Sequence, residues 1–202
     1  MGSYTLVTAR QLEELKQSIR ELTINDSEAY GHHQKRVFAS SGREGYPIFA
    51  VLSAHTLIDP KERADSARKS WSLPLGSVGW ERSWGIFHDG LIVGEISLST
   101  SRLAPSQMHR AILGMAIERD YRSMGLGRVL MNEALSWAKT QTFLAWVDLG
   151  VFSHNHAARN LYRSFGFREQ GRIPDCFRVD DQRIEDIQMT LDLQSYFLRA
   201  DS

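Results

Sequence analysis

One short run constrains this chain more than any other: Arg122-Ser123-Met124-Gly125-Leu126-Gly127. The apolar run at 111–117 leads into it as a strand, and the run at 128–139 leads out of it as a helix. Glycine carries no Cβ, so a turn with Gly125 and Gly127 lets backbone approach backbone or ligand closely. A helix that opens directly after such a turn presents unpaired N–H groups, with the positive end of its dipole behind them. That arrangement holds phosphates, so the turn predicts a ligand that carries a pyrophosphate. Two other phosphate loops fit less well. The dinucleotide fingerprint needs a third glycine where this chain has Leu130, and the Gly-Lys-Ser/Thr of a P-loop does not occur. The plainer alternative is that the two glycines only make a tight turn between strand and helix.

The rest of the chain sets the frame. A length of 202 residues suits a single domain over 1–202. Lys+Arg (24) equals Asp+Glu (24), so the chain as a whole has no electrostatic footprint for nucleic acid or for an anionic membrane. Cys176 is the one cysteine, which leaves no intrachain disulfide and fits a reducing compartment. No apolar run approaches the roughly 20 residues of a membrane helix, and no basic-then-apolar segment opens the chain. A cytoplasmic protein is the expectation.

Periodicity predicts a strand over 4–8 and a helix over 11–22, with Leu12, Leu15, Ile19 and Leu22 at helical steps. Residues 23–60 show no clear period, and the pair His32-His33 reads as solvated loop. A helix follows Pro60 over 61–71. Strands at 81–88 and 91–100 flank Asp89-Gly90, a hairpin turn. In the return strand Ile92, Ile96 and Leu98 share one face, and Val93, Glu95, Ser97 and Ser99 the other. After the glycine turn, Leu126, Val129, Leu130, Ala134, Trp137 and Ala138 make one apolar stripe. A strand over 143–151 and a helix over 156–164 follow, the helix capped by Ser153 or Asn155 and ended by Gly166. A strand begins at Phe167, and a last one covers 184–193. Hairpins demand antiparallel pairs and strand–helix–strand units demand parallel ones. The expected class is α/β (α+β in some schemes), a mixed, partly antiparallel sheet with helices on both faces.

The second dense signal is Asn155-His156-Ala157-Ala158-Arg159-Asn160-Leu161-Tyr162-Arg163-Ser164-Phe165-Gly166-Phe167. Taken alone, Tyr162 reads as a half-buried core aromatic. The spacing Asn-x-x-Ala-x-x-Leu-Tyr-x-x-x-Gly-Phe, however, resembles the C-terminal motif of the GNAT N-acetyltransferase superfamily. Arg-x-x-Gly-x-Gly between strand and helix resembles that superfamily's acetyl-CoA loop. The order of elements matches as well, closely from 84 to 193 and weakly before that. The resemblance implies an acetyl-CoA-binding core over 111–167 and an acceptor region over 23–85. It implies that backbone amides of Ser123, Met124, Gly125, Leu126, Gly127 and Arg128 hold the pyrophosphate, with Arg122 at the mouth of the turn. The edge of Met115, Ala116 and Ile117 pairs with the pantetheine arm, and Asn155 contacts the same cosubstrate.

N-acetyl transfer makes three demands. The acceptor amine, with a pKa of about 8 to 10.4, must lose a proton before it attacks. The oxyanion needs a donor, for which a backbone N–H among Met115 to Ile117 is placed. The leaving thiolate takes a proton, and the resemblance gives that role to Tyr162. For the base, several relatives carry Glu where this chain has Gly150, so that assignment does not carry over. Glu118, next to the turn, is the first choice and Glu95 the second. Asp148, His109 and His154 also lie near in sequence. No metal is implied, because no carboxylate or cysteine cluster supports His154 and His156. Trp71, Trp80, Trp84 and Tyr46 are candidates for an acceptor pocket, with packing the preferred role. Three functions follow from the resemblance: an N-acetyltransferase for a small-molecule primary amine, one for a protein N-terminus or lysine, or an acyl-CoA-binding module without catalysis. The resemblance also allows a homodimer.

Overall fold

The computed structural model describes residues 8–43, 48–53, 56–100 and 104–200. The strand expected over 4–8 lies outside these residues except for Thr8. That residue caps α1 (Ala9–Gln17) through reciprocal hydrogen bonds with Gln11. The helix expected over 11–22 stops early. Ser18 Oγ donates to Phe87 O at 2.8 Å and accepts from Phe87 N at 3.0 Å. These bonds draw the chain to a sheet edge, where Arg20–Glu21 forms β1 instead of a last helical turn.

Then come α2 (Ser27–Ala39), α3 (Pro60–Ser72), β2 (Glu81–His88), β3 (Leu91–Ser99), β4 (Arg110–Ile117), α4 (Leu126–Lys139), β5 (Trp146–Phe152) and α5 (His156–Ser164). The chain ends in a long hairpin, β6 (Arg168–Val179) and β7 (Gln182–Asp192), and a last helix, α6 (Leu193–Ala200). The strands form one seven-stranded sheet in the order β1-β2-β3-β4-β5-β7-β6. Every neighbouring pair is antiparallel except β4 and β5. The sheet is therefore mixed and mostly antiparallel, as the sequence predicts. The last strand stops one residue before its predicted end. Asp192 accepts hydrogen bonds from Ser195 N and Oγ, so it caps α6 rather than continuing β7. Similarly, β5 starts at Trp146 and not at 143, because Leu144 N closes a turn on Gln141 O.

One face of the sheet carries the main core. Leu126, Leu130, Met131, Ala134, Leu135 and Ala138 of α4 are buried there with Leu15 of α1, Tyr162 of α5 and Phe165 just past the end of α5. The expected stripe is shifted by one position in part: Met131 and Leu135 are fully buried, while Val129 and Trp137 only border the core. On the opposite face α2 and α3 cover β2 and β3, with Leu22, Ala67, Trp71 and Ile92 buried between them. A bulge decides which β3 residues face which way. Ile86 pairs with Gly94 and Phe87 with Ile92, skipping Val93. Ile92 thereby leaves the face it was predicted to share with Ile96 and Leu98, and Val93 takes its place in the main core. Glu95 stays on the side of α2.

The tryptophans serve packing. Trp80 and Trp84 are buried against Trp137 at ring distances of 5.9 and 5.3 Å. Trp71 donates Nε1 to Glu81 Oε1 and Ser83 Oγ. Tyr46 lies outside the described residues. Among the described residues no helix is long and apolar enough to cross a membrane.

Helix α2 has no apolar stripe to betray it: its buried residues are Ser27, Gly31, His33, Gln34 and Val37. Its seat is steric. A Cβ on Gly31 would lie 2.1 Å from Pro60 O, so only a glycine lets α2 meet the first turn of α3. Gly31→Ala, which gains about 1 kcal/mol in an ordinary helix interior, is expected here to lose about 1–3 kcal/mol through overpacking. The measurement is the denaturant midpoint at unchanged slope.

Candidate active site

The site begins with a broken ladder. Parallel pairing of β4 with β5 is confined to Arg110↔Trp146, Ala111↔Val147 and Ile112↔Asp148. Beyond Ile112, β4 continues to pair with β3 as far as Ile117↔Gly94, and β5 with β7 as far as Phe152↔Asp186. The two strands therefore part, and one edge of residues 113–117, Met115, Ala116 and Ile117 included, faces a gap. An unpaired strand edge inside a sheet is a ready partner for an extended ligand.

At the open end of that gap, β4 runs into the glycine turn. Ser123 and Gly125 both have positive φ, 61° and 79°, and together they turn the chain into α4. Arg122 sits at the base. Its Nε donates to Ile117 O at 2.9 Å and its guanidinium lies 4.5 Å from the Phe49 ring centre, so the side chain braces the turn. Within the turn, Arg128 N and Val129 N donate to Gly125 O. The N–H groups of Ser123, Met124, Gly125, Leu126 and Gly127 donate to no carbonyl among the described residues. The expected row of amides thus ends at Gly127, because the Arg128 amide turns inward. Arg128 offers its side chain, which donates to Ser164 Oγ at 3.1 Å.

The second motif closes on the first. A Cβ on Gly127 would lie 2.9 Å from Leu161 Cδ2, so the start of α4 is packed directly on α5. Asn155 Oδ1 accepts from Ala158 N at 3.2 Å and caps α5, a use that leaves its Nδ2 donors for another partner. Tyr162, 7 % exposed, points from α5 into the core region. Burial first, and then the charge of Glu95, push its hydroxyl well above the usual tyrosine value.

Glu95 is paired with Ala116 across the sheet and is 4 % exposed. Its Oε1 accepts from Gln34 Nε2 at 3.0 Å, and its buried Oε2 has no partner among the described residues. Burial, helped by the nearby Glu81, pushes its carboxyl up to about 8. Glu118 is placed differently. Burial alone would raise it, but His33 Nδ1 at 2.9 Å and Arg36 Nη2 at 2.8 Å outweigh that and hold its carboxyl below the usual range. Arg36 also donates to Ile92 O at 3.0 Å, so Glu118 fastens α2 to the sheet.

The other candidates are engaged elsewhere. Asp148 is held by Arg110 and Thr190. His154 Nε2 contacts Ile48 O at 2.6 Å. Among the described residues no group of three metal-ligating side chains comes together. The partners supplied by α2, namely His33, Gln34 and Arg36, were missed by sequence reasoning. His33 is fully buried and not solvated as predicted. No period in 27–39 pointed to them.

Comparison with known proteins agrees with this geometry. The sequence profile of the acetyltransferase (GNAT) family matches residues 50–167. An L-amino acid N-acetyltransferase, AaaT of Escherichia coli (strain K12), is 25 % identical over 83 residues, which are 41 % of this chain and 51 % of the relative. The match therefore spans about half the length of that curated relative. Among solved structures, an acetyltransferase of the GNAT family from Streptococcus pneumoniae superposes with a TM-score of 0.70 at 22 % identity, over 86 % of this chain and 98 % of that one. For yncA of Salmonella typhimurium, solved with its cofactor acetyl-CoA, the TM-score is 0.71 at 18 % identity, over 87 % and 92 % of the two chains. With a cradle of free amides, a split sheet and the capped second helix joined in one molecule, this chain belongs to the acetyltransferase (GNAT) family, whose acyl donor is acetyl-CoA.

Proposed function

We propose that this protein transfers the acetyl group of acetyl-CoA to the primary amine of a small molecule, by direct attack with both substrates bound. The observation that carries the reading is the row of amides from Ser123 to Gly127 that donate to no carbonyl among the described residues, at the end of the split between β4 and β5. The residues fit acetyl-CoA. Free N–H groups from Ser123 to Gly127 and the dipole of α4 suit a pyrophosphate, and the unpaired β4 edge suits an amide-bearing arm. Bound there, acetyl-CoA supplies the thioester carbon that an amine attacks.

Each side chain then has a task. Glu95 takes the proton from the incoming ammonium group, for which a carboxyl near 8 is well matched, being half-ionised close to working pH. Tyr162 stays protonated throughout that range and gives its proton to the departing sulfur. An N–H at Met115, Ala116 or Ile117 steadies the negative carbonyl oxygen. Glu118, held ionised by Arg36 and His33, is a weak base and serves to fix α2. The similarity to an L-amino acid N-acetyltransferase of Escherichia coli makes L-amino acids the first acceptors to try.

The deciding experiment is acetyl-CoA-dependent thiol release over the L-amino acids, putrescine, spermidine and short peptides. Turnover of an amino acid or polyamine is expected, with peptides poor. Tyr162→Phe is expected to lower kcat about 100-fold or more while acetyl-CoA affinity by calorimetry stays unchanged; an unaltered kcat removes Tyr162 from the chemistry.

Glu95 makes a prediction of two parts. At saturating acceptor, kcat of the wild type rises with pH through about 8, and Glu95→Gln abolishes that inflection. Stability carries the opposite sign. Between the ordinary 4.5 and about 8 the folded carboxyl keeps a proton that the unfolded chain has lost. Folding takes up that proton, so wild-type stability falls as pH rises across this window. Glu95→Gln is therefore expected to gain on the wild type from pH 4.5 to 8, by at most about 1.4 kcal/mol per pH unit, and to hold a constant lead above it. Denaturation at several pH values reads the difference.

A further inference from the structure

Two buried side-chain atoms on the α2 side of the sheet have no hydrogen-bond partner among the described residues: His33 Nε2 and Glu95 Oε2. Their residues are 0 % and 4 % exposed. Buried polar atoms are nearly always paired, so both need an explanation. The two residues are neighbours. His33 and Gln34 are consecutive on α2. His33 Nδ1 lies 2.9 Å from Glu118 Oε1, and Gln34 Nε2 donates to Glu95 Oε1 at 3.0 Å. Glu95 pairs with Ala116 of β4. Glu118 stands two residues farther along that chain, its N–H bonded to Val93 O of β3 at 2.9 Å. Diagonal positions of an antiparallel pair are about 7–8 Å apart, within reach of long side chains. The imidazole thus meets Glu118 with one nitrogen and keeps the other in the layer that holds Glu95 Oε2.

Glu118 fixes the tautomer of His33. Its carboxyl is held below the usual range and accepts from Arg36 as well, so it is ionised and can only accept. Nδ1 therefore carries the hydrogen of the 2.9 Å contact. In the neutral ring Nε2 is then a bare acceptor. Glu95 complements it. Its Oε1 is occupied by the Gln34 amide, and its carboxyl, pushed up to about 8, carries a proton at neutral pH. That leaves Oε2–H as a donor. An imidazole whose far nitrogen is oriented by a carboxylate is well prepared to accept a proton.

We propose that His33 relays protons for Glu95: oriented by Glu118, its Nε2 shares one proton with Glu95 Oε2, directly or through one water, and so frees Glu95 to act as the base. The inference rests on the transferase reading above. With the shared proton on Nε2, an imidazolium stands between two carboxylates and Glu95 is ionised. An ammonium group loses two protons on becoming an amide. The first passes to Glu95 before attack. The nitrogen lone pair then forms the bond to the thioester carbon, the carbon–sulfur bond breaks with its electrons on sulfur, and Tyr162 protonates the sulfur. The second proton of the nitrogen replaces the one Tyr162 gave. One proton net leaves the Glu95–His33 pair for water. Glu118 only positions the ring. The charged groups around the pair are Arg36 of α2, Glu118 after β4 and Glu81 of β2, with the hydroxyls of Tyr162 and of Tyr30, itself near Arg63 of α3. Burial, helped by Glu81, favours the protonated form of Glu95, so without a relay only about a tenth of it is ionised at pH 7.

The test compares wild type and His33→Gln at pH 7 and pH 9, on the best acceptor found among the L-amino acids, putrescine and spermidine. His33→Gln is expected to lower kcat about tenfold at pH 7 and by less than about twofold at pH 9, where Glu95 is ionised unaided. Acetyl-CoA affinity by calorimetry stays unchanged. An unaltered kcat at pH 7 overturns the proposal. So does an equal deficit at both pH values, which marks a structural role. Nitrogen-15 NMR of the imidazole, assigned by the signal missing in His33→Gln, is expected to show hydrogen on Nδ1; a bare Nδ1 overturns the proposal independently of turnover. If His33→Gln does not fold, Glu118→Gln decides. It keeps an oxygen toward His33 and Arg36 but removes the charge that steadies the imidazolium, so the same pH-dependent deficit is expected, and its absence overturns the relay. A wild type that binds acetyl-CoA and turns over none of these amines overturns the transferase reading itself, and this proposal with it. A working wild type with indifferent variants overturns only the role of His33.

Discussion

The structure depends on a parallel ladder that stops after three pairs. Up to Ile112↔Asp148 the sheet is continuous, and beyond it β4 and β5 each keep only their outer neighbour. Unpaired backbone inside a sheet is costly unless water or a ligand satisfies it. Both sides of the split are held by longer antiparallel ladders, and its closed end is clamped by Arg110 on Asp148. The opening is thus set by the chain's own bonding and leaves a bare strand edge. The turn of unpartnered amides at the end of β4 borders it, and Glu95 stands one strand away.

Two glutamates near this opening show how surroundings assign roles to like side chains. Glu118 meets two nitrogen-bearing side chains of α2 and is held ionised, so its energy goes into fastening a helix. Glu95 meets a neutral amide and a second carboxyl, so it resists ionisation and keeps a proton-accepting oxygen free. Both depend on α2. Without that helix Glu118 would lose its cations and Glu95 its cover, and the two acidities would converge.

The glycine-turn side of the gap was legible in the sequence, and the side covered by α2 was not. Glycines at fixed steps, an asparagine cap and an apolar stripe are local signals, and α4, α5 and the turn between β4 and α4 were read from them nearly to the residue. The order of bases could not be read in this way. Proximity in sequence favoured Glu118, whereas the ranking depends on partners 61 to 85 residues away, Gln34 and His33. Helix α2 itself was hidden because it buries polar residues and a glycine rather than an apolar stripe. The bulge that sends Ile92 and Val93 to opposite faces was equally silent, since a one-residue offset leaves composition unchanged.

Three of these hidden features share a cause. At Gly31, Gly127 and Gly150 the informative property is a missing Cβ, whose space belongs to Pro60 O, Leu161 Cδ2 and Asp186 Oδ2 respectively. Gly31 seats α2, which sets the two glutamates. Gly127 joins the cradle to the helix that carries Tyr162. Gly150 admits a carboxylate where a side chain would have stood. In each case the partner is distant in sequence, so the glycine reads as a turn or a weak strand until the packing is known. The fold around the gap is therefore shaped as much by side chains left out as by those that carry charge, and substitutions at these three positions act separately on the seat of α2, the packing of α4 on α5 and the seat of Asp186.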